Sequence, residues 1–152
     1  MAVTPLDEPI AGLAGKTVHK ILATWAADCA ERVLPYFAEK YPEDPRPREA
    51  IEATREWVRS GVFRMADVRR TSLAAHAAAR EVRAGEPAHS AARAAGQAMA
   101  TAHVPTHAIA AAIYAATAVR DAADPDDADG ATLKEREWQY RHLLELRGRS
   151  EF

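Results

Sequence analysis

Between Ser72 and Thr117 alanine dominates the chain, and His76, Arg80, Arg93, His103 and His107 are set into that stretch. Alanine has the highest helix propensity and a side chain of one methyl. The segment must therefore be helical, and its helices can approach closely. Imidazole and guanidinium groups among such small neighbours can meet inside a bundle instead of pointing into water. Buried polar groups are costly unless partnered, so a cluster of them marks either a hydrogen-bonded core or a site.

Apolar periodicity extends the helical reading along the chain. Val18, Ile21, Leu22, Trp25, Cys29, Val33 and Leu34 recur at three- and four-residue steps from Lys16, which marks one buried face. Pro35 predicts a kink or an irregular last turn near Leu34–Tyr41. Helices are expected at about 48–60, stopping at Gly61, and at about 65–84, stopping at Gly85. A fourth starts at Pro87 and is broken by Pro105; a fifth covers about 105–122 and a last one about 132–147. DPDDADG at 124–130 reads as an acidic loop. No segment alternates with a period of two between turn signals, so no strands are expected. The expected fold is an all-α, single-domain antiparallel bundle of about six helices over 16–147. An irregular N-terminal arm (1–15) and a tail (148–152) flank it. Ala92, Ala95, Gly96 and Ala100 form a candidate seam for close helix packing.

Bulk properties narrow the function classes. A chain of 152 residues can bury a sizeable core without staples. Its net charge of −2 argues against general nucleic-acid binding. The single cysteine, Cys29, excludes an intrachain disulfide and suggests a cytoplasmic setting. No apolar run reaches the length of a membrane span, about 18 residues. Phosphate-binding glycine loops and the nucleophile-elbow motif are absent from the sequence.

Four constellations could carry chemistry. Asp28 and Arg32 are four residues apart on the apolar face of the first long helix, where they can pair or aim a carboxylate into a pocket. Arg46 and Arg48, stiffened by Pro45 and Pro47, could clamp a carboxylate or phosphate, or close the loop onto nearby acids. His76, Arg80, Arg93, His103 and His107 could form a hydrogen-bonded core or an acid/base site. The spacing of His103 and His107 suits a metal, but Pro105 lies between them and no third ligand is prescribed, so no metal and no cofactor are expected. Finally, Trp138 on the last amphipathic helix reads as packing against the bundle, or as part of a partner surface.

Five strings bear a family resemblance: WAADCAERVLPYF, YPEDPRPREAIEATREW, AAHAAAR, ARAAGQAMATAHVPTHAIAAAIYA and EREWQ. Together they resemble the small bacterial immunity proteins similar to the fifth immunity family of polymorphic toxin systems, over about Lys16 to Leu144. D-x-R-P-R-x-A-I-E-A and A-T-A-H-x-x-x-H-A are the most specific parts. The resemblance implies a protein that binds a toxin and blocks it without catalysis. Gln97 stands where family members often carry histidine, which weakens any role needing a third histidine on that helix.

Two functional readings follow. In the first, the chain neutralises a toxin partner, and acids at 124–129 together with Glu135 and Glu137, expected to be exposed, suit a basic one such as a nuclease. In the second, it is a small-molecule binder or enzyme. A pocket between helices would then draw on Asp28, His76, His103 and His107 as catalytic candidates, with Arg32, Arg46, Arg48, Arg80, Arg93 and Tyr114 as ligand-binding candidates. No nucleic acid or membrane partner is expected, and the sequence does not fix the oligomeric state.

Overall fold

A computed structural model describes residues 3–149. These form seven helices: α1 (Asp7–Ala14), α2 (His19–Ala38), α3 (Arg46–Ser60), α4 (Met65–Arg80), α5 (Pro87–Ala100), α6 (His107–Ala122) and α7 (Ala128–Arg149). No strand occurs among the described residues.

The glycine and proline signals mark their boundaries well. Gly61 closes α3 in the left-handed conformation (φ 71°) and donates its N–H to the Trp57 carbonyl, the role that favours glycine after a helix. Gly85 (φ 95°) turns the chain into α5, where Pro87 occupies the first turn. Three expectations need correction. The segment read as an irregular arm contains α1. Thr4 donates from its N–H and hydroxyl to the Asp7 carboxylate, a capping arrangement that starts a helix despite nearby Pro5 and Pro9. Second, α7 begins inside the stretch read as an acidic loop. Asp129 sits in its first turn, where the helix dipole favours negative charge, and pairs with Arg120. Asp124, Asp126 and Asp127 remain exposed. Third, α4 ends at Arg80 and α7 continues to Arg149; the last residues of the expected tail, 150–152, lie outside the described residues. Pro35 does not end α2, which continues to Ala38.

The architecture is built around one helix. Ala88, Ser90, Ala91, Ala92, Ala94, Ala95, Gly96, Ala98 and Met99 of α5 are all buried. That burial covers most of the helix circumference, so α5 needs neighbours on several sides. It has four: α4, α3, α2 and α6 pack on it. Within this wrapping α4 meets α3, α3 meets α2 and α2 meets α6, but α4 and α6 make no extended contact. The wrapping is open there. α7 packs over α6 and α2, and α1 over α7 and α6. Trp25, Phe37, Ile10, Ile51 and Leu143 supply the large buried side chains around this thin alanine hub.

Although its sequence is highly polar, α7 is firmly seated. Gln139, fully buried, accepts from Arg136 Nη1 and donates to the Ala112 carbonyl. Arg136, 3% exposed, also reaches Asp7 on α1. Trp25 Nε1 donates to the Gln139 backbone carbonyl. These polar groups can be buried because each has a partner.

Candidate functional site: the open face of the central helix

Between α4 and α6 the floor of the opening is one stripe of α5. After Pro87 in the first turn, His89, Arg93, Gln97 and Ala100 are its partly exposed residues, at steps of four and three, which places them on a single helix face. α4 supplies His76 and Arg80 to one wall. α6 supplies His107 to the other, and Tyr114, two turns on, shares its face.

Close approach of α4 and α5 creates this geometry. Ser72 Oγ donates to the Gly96 carbonyl at 2.9 Å. One turn along, the His76 ring lies directly over Gly96: a β-carbon there would meet Nε2 at 2.7 Å and Cδ2 and Cε1 at 2.9 Å. Arg93 Nη1 donates to His76 Nδ1 at 2.9 Å. A donor at Nδ1 places the proton of the neutral ring on Nε2. Desolvation, then the Arg93 and Arg80 guanidinium groups, then His107, push the His76 pKa down to about 4. Across α5, His107 Nδ1 donates to Gln97 Oε1 at 2.8 Å. His89 Nδ1 donates to the carbonyls of Ala79 and Val82, satisfying orphan groups at the end of α4.

The sequence candidates divide as follows. His76, Arg80, Arg93 and His107 come together. His103 does not join them: it follows α5 in the turn before α6, is exposed, and stacks on Phe63. Tyr114 packs partly buried against the core. Asp28 and Arg32 do not pair with each other; each turns to another helix. Asp28 accepts from Arg55 of α3 (2.8 Å) and from His142 of α7 (2.7 Å). Arg32 binds Glu135 with two hydrogen bonds of 2.9 Å and lies 3.9 Å over the Trp138 ring. This network fastens α7 to α2 and α3. Arg46 is engaged by Asp44 and Glu81, closing the proline loop onto the end of α4. That loop borders a hollow of about 660 Å³, but its arginine is already taken. Arg48 is exposed at the start of α3. Cys29 is fully buried, and burial followed by the Glu135 and Asp28 carboxylates pushes its thiol well up, which leaves it inert. Among the described residues no three His, Cys, Asp or Glu side chains are grouped as a metal set.

Sequence reasoning placed Gly96 in a close-packing seam but passed over Gln97 and His89 as parts of this face. Their signal was present: His89, Arg93 and Gln97 are the polar residues at four-residue spacing on an otherwise small and apolar helix. At the end of the opening nearest His103, a cleft of about 240 Å³ is lined by Met65, Arg69, Ser72, Leu73, Ala100 and His103. Met65, Leu73 and the neighbouring Phe63 are exposed. The α4–α5–α6 face therefore runs from an apolar end to a basic centre.

No curated protein and no solved structure matches this chain. The family model described as Imm-5 like putative immunity protein matches residues 12–146, from the end of α1 to the last full turns of α7. Because that span takes in the whole central helix and every wall of its open face, the chain belongs to this family.

Proposed function

We propose that this chain is an immunity protein that binds a toxin and neutralises it through the α4–α5–α6 face. Membership of the immunity family across residues 12–146 carries the reading. The face supports it in kind. Phe63, Met65 and Leu73 offer exposed apolar area, and Arg69 beside them and Arg80 two turns beyond Leu73 have no ion-pair partner among the described residues. Aromatic, methionine and arginine side chains are enriched where proteins dock. The exposed acids Asp124, Asp126 and Asp127 would suit a basic region of the same partner.

The second reading, a small molecule held by His76, Arg93 and His107, draws on the same groups. Solvent reaches the α5 stripe from His89 to Ala100, so the opening suits a protruding segment better than an enclosed ligand. The test is co-expression with the toxin domains encoded beside its gene. Restored growth and a stable co-purifying complex are expected. A folded chain that protects against none of them refutes the reading.

A further inference from the structure

We propose that the centre of the α5 opening is a carboxylate-binding subsite that receives an aspartate or glutamate side chain of the protein partner. Arg80 and Arg93 would hold it, flanked by the ring N–H of His76 and the amide of Gln97. The source of the carboxylate rests on the partner-binding reading; the subsite itself rests on the donor inventory of the face.

That inventory is one-sided. The Arg93 guanidinium gives one N–H to His76, and among the described residues neither it nor Arg80 pairs with a carboxylate. Elsewhere Arg32, Arg46, Arg55, Arg120 and Arg136 each have a carboxylate. A half-buried guanidinium without a counter-charge is uncommon, because its desolvation is not repaid. The hydrogen bonds already made also consume acceptors and leave donors. His76 accepts at Nδ1, so its Nε2 proton has no acceptor among the described residues. Gln97 gives its oxygen to His107, and its NH2 group has no acceptor among the described residues. Arg93 bonds the His76 ring and Arg80 acts on it as well, which brings donors of α4 and α5 into one neighbourhood. Burial first, and then the Arg93 and Arg80 guanidinium groups, hold His76 in its neutral form. Asp121 interacts with His89 toward the far end of the stripe, and burial pushes its carboxyl up.

A carboxylate matches these donors, since guanidinium binds paired oxygens in bidentate fashion. The neighbouring cleft at Met65 and Leu73 fits an apolar anchor. Leu73 lies three residues before His76 and seven before Arg80 on α4, so anchor and acid would be separated by about 5–10 Å.

The test uses the full chain and N-acetylglutamic acid α-amide, whose only carboxylate is the side chain, with ring signals of His76, His107 and His142 followed by NMR. Saturable shifts at His76 and His107 are expected, with His142, held by Asp28, unmoved. Binding should weaken about tenfold or more in Arg93→Gln and in Arg80→Gln; exposed Arg80 can be replaced without loss of fold, as circular dichroism would verify. Absence of shifts, or binding by both variants as tight as by the unaltered chain, overturns the subsite. Inorganic phosphate is the second probe. Phosphate binding tenfold tighter than the carboxylate would identify a phosphate-bearing ligand and overturn the partner side chain as the source. Growth protection separates the two levels. A wild-type chain that protects, with Arg93→Gln and Arg80→Gln protecting equally, removes the subsite and leaves partner binding standing. A wild-type chain that protects against nothing removes the partner reading, whatever the NMR result.

Discussion

Replacing Gly96 with alanine tests whether the α4–α5 seam is built around the His76 ring. The added methyl would lie 2.7 Å from Nε2 and 2.9 Å from two ring carbons, roughly 1 Å inside comfortable contact. Helix propensity alone would stabilise the variant by about 0.8–1 kcal/mol. The ring must instead swing out, breaking its bond from the Arg93 guanidinium. Such a charge-assisted bond contributes about 1.5–3 kcal/mol, and solvent access to the half-buried ring keeps this case near 2. The net expectation is a loss of about 1 kcal/mol, or a fall of about 2–4 °C in Tm for a chain of this size. A double-mutant cycle isolates the reasoning. With His76→Ala in place the clash is gone, and Gly96→Ala should stabilise by about 1 kcal/mol, so the coupling between the two positions is about 2 kcal/mol. Urea unfolding followed by circular dichroism on the four proteins measures it. Equal stabilisation by Gly96→Ala in both backgrounds would refute the packing argument.

Three other outcomes follow from the same structure. Because the folded-state pKa of His76 is depressed from 6.5 to about 4, the unfolded chain binds the extra proton between those values. Stability should therefore be full above about pH 6.5 and fall toward pH 4, by about 1–2 kcal/mol after solvent screening; His76→Gln should flatten that part of the pH profile, and an unchanged slope would count against a neutral ring. Gln139→Leu leaves the Arg136 guanidinium short of an acceptor and the Ala112 carbonyl short of a donor. It should cost about 2–4 kcal/mol in denaturant unfolding, and a near-neutral effect would show that α7 is held by apolar packing alone. Cys29, buried with a raised thiol pKa, should react with a thiol reagent only as fast as the protein unfolds; rapid labelling under native conditions would show that α2 opens locally.

Local punctuation was the legible part of the fold. Gly61 after α3 and Pro87 at the start of α5 mark boundaries in sequence and structure alike, because each depends on the backbone preference of one residue, whereas α4 stops at Arg80, short of Gly85. α1 was hidden because Pro5, Pro9 and two glycines outweigh one capping pair to the eye, whereas in space Thr4, Asp7 and the burial of Ile10 and Ala14 decide. The start of α7 was hidden in a run of acids that reads as a loop and also suits the first turn of a helix. At the candidate site, His76 and Arg80 could be paired from their spacing. Convergence with Arg93 and His107 depends on how three helices align, and that is set by Gly96 and Ser72 across the seam. Spacing misleads at His103: four residues from His107, it lies in the turn interrupted by Pro105 and faces Phe63 instead. Asp28 and Arg32 show the same limit, since Arg55, His142 and Glu135 from distant segments offer them better geometry.

A hub made of alanine has little to lose and no room to gain. Each methyl on α5 removes only a small apolar area from water, so trimming one to glycine opens a void of a single carbon. Enlarging Ala91, Ala95 or Ala98 would push apart helices on opposite sides of the axis at once, and no rotamer change could absorb the added bulk. Sequence drift in such a molecule is steered outward, to the residues that meet solvent and, on the open side, whatever docks there.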